Sequence, residues 1–245
     1  MVPTVESRSI ESMKLKRNRT IQSIGSHNYG RWMLPDGGMV FTNYFQSAVR
    51  VFSNKGVIDF KMKITCSAYD IVYNSEDNTL AVTSGDSVKH CIIIIDLDRK
   101  QIKKTISLDS EIYGIALKDN RLIYSGYDKG IRMINICDEF ISDIVRDKMP
   151  RECYIATVGN QIYYTNCLKN TVTCYELQGK LQWTFCKESI LKDPRGIDVD
   201  NYGYVYVMGV KSYNVVVISP DGQQHREMLA KSDGISQPLS LCFSN

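Results

Sequence analysis

An all-β chain of repeated four-stranded sheets is the fold class this sequence predicts, and three observations predict it. Short segments with alternating apolar residues recur at a nearly constant interval. Gly, Asn and Asp, which accept the left-handed backbone of tight hairpins, sit between them. No stretch carries a convincing helical stripe; "DEFISDIVRDKMP" (138–150) comes nearest, and its place in the repeat asks for a strand.

The interval appears when segments are aligned on the first core residue of each unit. They are "GRWMLPDGGMVFTN", "YDIVYNSEDNTLAVTSG", "YGIALKDNRLIYSG", "CYIATVGNQIYYTN", "RGIDVDNYGYVYVMG" and "LSLCFSN". Their anchors are Trp32, Ile71, Ile115, Ile155, Ile197 and Leu241, at separations of 39, 44, 40, 42 and 44. A period near 40 with several short strands per unit is the signature of a β-propeller blade.

Each element then follows in order. Turns after the first strand of each unit are "PDGG" (35–38), "EDN" (76–78), "KDN" (118–120) and "GN" (159–160). Turns after the third strand are "SNKG" (53–56), "DLDRK" (96–100) and "QGK" (178–180). The fifth unit is the most regular: strands at 196–199, 204–208, 214–219 and 223–229, with turns Asp200-Asn201-Tyr202-Gly203 and Pro220-Asp221-Gly222. The whole chain, 1–245, reads as one propeller domain with blades at about 28–65, 66–108, 109–148, 149–187 and 190–230. Residues 12–24, "SMKLKRNRTIQSI", stand where a closing outer strand belongs, the charged run guarding its edge. Residues 236–245 start a sixth unit, so an incomplete sixth blade is expected from the two chain ends.

Composition narrows the function classes. Thirty basic residues against 27 acidic give a net charge of +3, too balanced for a general nucleic-acid coat, so any basic site is local. No apolar run is long enough to span a membrane and the first residues do not form a secretory leader, so no membrane partner and a cytoplasmic location are expected. Eight cysteines and three histidines show no metal-ligand spacing, and no cofactor is expected; the cysteines read as small buried hydrophobes of a reducing compartment. No nucleophile elbow or phosphate loop is present, and "GYDKG" (126–130) is a turn. Asp70, Glu111, Glu152 and Asp198 do not recur at one blade position as a shared carboxylate site would, and a non-enzymatic chain is expected.

The stretch Asp193-Pro194-Arg195-Gly196-Ile197-Asp198-Val199-Asp200, with its Tyr-Val strand, Asn214-led strand and Pro220-Asp221-Gly222 turn, resembles an NHL repeat. The chain as a whole is similar to the C-terminal NHL-like propeller of tripartite-motif proteins, particularly the invertebrate sets. That resemblance implies the substrate-recognition part of a ubiquitin ligase whose RING is not in this chain. The implied ligand is a partner protein (ubiquitylation substrate or adaptor) or, in the alternative, single-stranded RNA.

Strand order places the connections between second and third strands on one face with the connections between units. On this face stand Lys89, Lys129, Lys169 and Lys211, near the blade period, with Arg151, Lys192 and Arg195. Tyr44, Tyr69, Tyr113, Tyr127 and Tyr213 are interleaved with them. Basic groups with aromatic platforms suit single-stranded RNA, and Tyr with Arg suits a protein interface equally well. A third class, a metal-dependent lactonase or lyase-type propeller, requires a convergent metal site.

Overall fold

The computed structural model describes residues 9–13, 15, 27–85, 88–235, 238, 239, 241 and 242. Among these, twenty strands form five antiparallel four-stranded sheets, each a meander of consecutive strands. Blade one is β1 (Arg31–Met33), β2 (Met39–Asn43), β3 (Ala48–Phe52) and β4 (Ile58–Lys63). Blade two is β5 (Ile71–Asn74), β6 (Thr79–Thr83), β7 (Cys91–Asp96) and β8 (Gln101–Ser107). Blade three is β9 (Ile112–Lys118), β10 (Arg121–Gly126), β11 (Gly130–Asn135) and β12 (Ile141–Val145). Blade four is β13 (Ile155–Val158), β14 (Gln161–Asn166), β15 (Thr171–Glu176) and β16 (Leu181–Cys186). Blade five is β17 (Pro194–Val199), β18 (Val205–Gly209), β19 (Asn214–Ile218) and β20 (His225–Leu229). The five blades of the repeat are therefore present, and residues 141–145 form an outer strand rather than a helix.

Burial follows position in the blade. The middle strands β6 and β7 are buried along their whole length, while outer β8 and β16 are mostly exposed. The run "CIIIID" shows why an unbroken apolar strand is needed. Ile93 and Ile95 pack toward blade one with Val49 and Val51, whereas Ile92 and Ile94 pack toward blade three with Ile115 and Leu122. Alternate side chains thus serve two interfaces, and each buried isoleucine contributes about 2 kcal/mol. In all five blades the pairing of third and fourth strands is offset by a bulge, which bends the outer strand and increases local twist.

The inner strands pack in sequence, β1 on β5, β5 on β9, β9 on β13 and β13 on β17. A hydroxyl near the end of the second strand recurs in blades one to four, and in blades one and two it ties the unit to the next. Thr42 Oγ1 accepts from the Gly30 N–H at 2.7 Å and donates to the Tyr69 carbonyl at 2.6 Å. Thr83 Oγ1 accepts from the Asp70 N–H at 3.0 Å and donates to the Tyr113 carbonyl at 2.6 Å. Ser125 and Thr165 accept from the Gly114 and Tyr154 N–H groups, both at 3.0 Å.

This slot corrects the alignment of the first unit. Ile71, Ile115, Ile155 and Ile197 lie opposite Val82, Tyr124, Tyr164 and Val207, each one residue before the slot. In blade one Arg31, not Trp32, takes that place, opposite Phe41. An arginine in an isoleucine position escapes a search for apolar anchors. Blade five carries Met208 in the hydroxyl slot, and Arg31 Nη2 lies 3.3 Å from its sulfur. The first and fifth blades therefore meet through an arginine and a thioether instead of a hydroxyl and a carbonyl.

Described residues near both ends of the chain lie against blade five. Ile10–Ser12 form one 3-10 turn, and Ile10 and Met13 pack with Tyr206, Val217 and Leu241. The Gly196 N–H donates to the Leu239 carbonyl at 2.8 Å, and the charge of Arg31 acts on the Cys242 thiol. Most of the expected closing strand (12–24) and much of 236–245 lie outside the described residues, and the described residues of the two ends form no sixth sheet.

The cysteines depart in part from the buried-hydrophobe expectation. Cys66, Cys91, Cys153 and Cys174 are buried, but Cys137 and Cys186 are exposed. Cys137 follows β11 at a turn, and Cys186 ends an outer strand, where only one side of the chain is covered.

Candidate functional site

One face of the ring is formed by the connections β2–β3, β6–β7, β10–β11, β14–β15 and β18–β19, together with the segments between blades. At its centre, residues at or just before the starts of the inner strands converge. Tyr29, Tyr69 and Tyr113 occupy one equivalent position in blades one to three, and Tyr154 comes from the adjacent position in blade four. The Tyr69 ring stacks on Tyr29 at 5.2 Å, meets Tyr113 edge-on at 5.1 Å and leans on Tyr154 at 5.3 Å. Tyr44 closes the group edge-on against Tyr29 at 5.4 Å. The Tyr154 hydroxyl donates to the Tyr29 carbonyl at 3.1 Å and spans from the fourth blade to the first. Tyr69, Tyr113 and Tyr154 are 1%, 2% and 3% exposed, so they form a plug across the channel. Burial drives the Tyr69 and Tyr154 hydroxyls well above the ordinary phenol range, and both stay neutral.

This placement revises two residues of the sequence-derived site. Tyr69 and Tyr113 are internal and cannot act as stacking platforms for a base. Tyr44, Tyr127 and Tyr213 are half-buried. Lys148 Nζ and the Arg151 guanidinium lie 4.5 Å and 4.9 Å from the Tyr127 ring, and Lys231 Nζ lies 5.1 Å from Tyr213.

The basic residues divide into two groups. Arg151 makes a two-pronged pair with Glu111 at 2.8 and 2.9 Å, which also accepts from the Tyr113 hydroxyl at 2.9 Å. Arg195 is largely buried and bridges Glu152 and Asp193, the latter at 2.8 Å. Burial opposes its charge, but the hydrogen bond and charge of Glu152 help to outweigh this and hold the guanidinium firmly protonated. Lys129 lies 3.8 Å from Asp109 and Lys211 3.6 Å from Asp193. Lys89, Lys169 and Lys192 are exposed. Carboxylates thus offset Lys129, Arg151, Arg195 and Lys211, which lowers the positive potential of the face.

Three loop tips on the same face carry large apolar side chains that are not among the sequence-derived site residues. Phe45 is 68% exposed, Leu168 is 80% exposed and Val88 is fully exposed. They belong to blades one, four and two and stand apart around the rim. Phe45 is braced by His27, whose ring meets it edge-on at 4.5 Å. Their signal in sequence was an apolar residue inside a polar turn, in "YFQS", "SVKH" and "CLKN".

Beneath the plug lies a cavity of about 230 Å³ lined by Arg31, Asp70, Tyr154, Asp198 and the apolar walls of the inner strands. Its wall residues become half-exposed toward the far ends of those strands, at Tyr73, Leu117 and Thr157, so it opens on the opposite face. Asp70 sits at the deep end, where its carboxylate accepts from the Ile71 and Ile115 N–H groups at 2.9 and 3.1 Å. Burial raises its pKa to about 7 despite those two bonds. Burial also lowers the pKa of Arg31. Among the described residues, no three His, Cys, Asp or Glu side chains converge as a metal site would require.

No family model matches the chain, and no curated protein matches it. Solved structures do. Virginiamycin B lyase from Staphylococcus aureus superposes with a TM-score of 0.66 at 18% identity, over 82% of this chain and 69% of the lyase chain. A catalytically inactive variant of that lyase with quinupristin gives 0.66 at 17%, over the same shares. A chain of a nidogen–laminin complex gives a TM-score of 0.71 at 11% identity, over 84% of this chain and 81% of that one. At these identities the likeness is one of fold: the chain is a β-propeller.

Proposed function

We propose that the chain is a recognition module that binds a partner protein through the plugged face. The observation that carries this reading is the set of exposed apolar tips, Phe45, Val88 and Leu168, above a floor of buried tyrosines. An exposed aromatic or branched side chain loses water on contact, and the paired charges around it supply a polar rim. The finer reading is that the partner is a ubiquitylation substrate or adaptor of a tripartite-motif type ligase. Its support is the NHL-like stretch from Asp193 to Asp200. Recognition of single-stranded RNA on the same face has weaker support, because ion pairs occupy Lys129, Lys211, Arg151 and Arg195.

We read the chain as a binder rather than a catalyst, the fold likeness to a lyase notwithstanding. Incubation with quinupristin should leave its chromatographic retention and fragmentation pattern unchanged, a readout that also detects ring opening without change of mass, and turnover would restore the lyase reading.

The test of the face is a comparison of two triple variants in quantitative proximity labelling. Phe45→Ser/Val88→Ser/Leu168→Ser should lose partner proteins that Phe140→Ser/Leu181→Ser/Tyr202→Ser, on the opposite face, retains. The reverse pattern would move the site to the opposite face. An RNA site would instead show retention that falls steeply with salt and disappears in Lys129→Glu/Lys169→Glu/Lys211→Glu.

A further inference from the structure

Two thiols face each other inside the protein. Cys66 lies in the crossover from β4 to blade two, and Cys91 opens β7. Their sulfurs are 3.7 Å apart in an S–H···S hydrogen bond, and the residues are 4% and 3% exposed. Ile64, Val82 and Ile93 belong to the same apolar cluster. Two small hydrophobes would satisfy that cluster equally well; sulfurs directed at one another do not follow from packing alone. A disulfide has an S–S length of about 2.05 Å, so the sulfurs need to close by under 2 Å, within reach of two side-chain rotations.

The surroundings set different roles for the two sulfurs. The hydrogen bond between the two sulfurs and the charge of Lys89 lower the Cys91 thiol below its ordinary range, while the same bond and burial raise Cys66. The Cys91 N–H is anchored to Ser84 Oγ at 3.0 Å, at the base of the β6–β7 connection that carries exposed Val88. Cys167, by contrast, turns its sulfur to the Arg151 carbonyl at 3.6 Å.

We propose that Cys66 and Cys91 are a redox-active pair that hydrogen peroxide converts to a disulfide, clasping the exit of blade one to the third strand of blade two. Peroxide is close to water in size and reaches sulfurs that a bulky disulfide reagent does not. The Cys91 thiolate attacks the peroxide: an S–O bond forms, the O–O bond breaks, and hydroxide leaves to take up a proton as water. The Cys66 sulfur then attacks the Cys91 sulfenic acid: the S–S bond forms, the S–O bond breaks, and water departs with the Cys66 proton. Two thiols and one peroxide give one disulfide and two waters, with two electrons passing from sulfur to oxygen.

Trypsin separates the two cysteines, leaving them in peptides 64–89 and 90–99. The native protein is treated with peroxide, unfolded, alkylated and digested without reductant. The expected product is these two peptides joined, two hydrogens lighter than their sum, and released by dithiothreitol. Recovery of both peptides separately alkylated, with oxidation confined to exposed Cys137 and Cys186, would overturn the proposal. The clasp closes a loop of some 25 residues, so the oxidised protein should melt about 5 °C or more above the reduced one. Cys66→Ala and Cys91→Ala should each show no such rise, and a rise in either variant would assign the effect to other cysteines.

Discussion

Thr83→Val tests the link that joins one blade to the next. Valine keeps the shape of threonine but removes a hydroxyl that is fully buried. Two groups lose their partner: the Asp70 N–H, now 3.0 Å from Oγ1, and the Tyr113 carbonyl, now 2.6 Å away. Leaving a buried polar group unpaired costs about 1–3 kcal/mol, so the pair predicts a loss of roughly 2–6 kcal/mol. For a chain of this size that corresponds to a fall in melting temperature of about 4–12 °C. The control is Thr83→Ser, which keeps the oxygen and gives up one methyl, at about 1 kcal/mol. Urea unfolding followed by tryptophan fluorescence gives both midpoints, with an unchanged slope showing that the same structure unfolds. A valine variant as stable as the serine variant, or more so, would refute the hydroxyl as the tie between blades.

Other expectations follow from the same inner ring. Folding raises the Asp70 carboxyl to about pKa 7, above an unfolded value of about 3.9, so the folded state retains a proton that the unfolded chain has lost. The associated stability is present below pH 4 and is lost as pH rises through 7. Asp70→Asn should therefore flatten the decline between about pH 4 and pH 7 in chemical denaturation; an unchanged slope would remove Asp70 as its source. Gly114→Ala should destabilise by more than about 2 kcal/mol, because its Cβ would stand 2.7–2.9 Å from the backbone of Tyr154 and Ile155. Thermal melting of the soluble fraction checks it, and a wild-type midpoint would contradict the close approach.

Much of the fold was legible because a propeller writes its period into the chain. Turn residues such as Asn120 and Gly203 need a left-handed backbone, and that need appears as a residue type. Less of the site could be read. Tyr69 and Tyr113 stand at the entries to inner strands, in segments that look like surface connections; only their convergence from separate blades buries them. Arg31 was hidden because its place is defined by pairing with Phe41, and its neighbour Trp32 offered a more apolar anchor. Phe45, Val88 and Leu168 look, one residue at a time, like any core side chain. The Cys66–Cys91 contact joins two blades, and no local pattern encodes it.

The tyrosine plug gives the proposed recognition face a solid floor. A partner bound there would be unable to thread a residue down the axis and would read the crown from above, tip by tip. Each tip belongs to a different hairpin, and only the hairpin of Phe45 also contributes to the floor, through Tyr44. Contacts of that kind are modular: one hairpin can be exchanged for another of different chemistry while the cork beneath stays in place. Binding preference and structural integrity are then separable properties, and grafted loops can be screened for new partners on an otherwise unaltered ring.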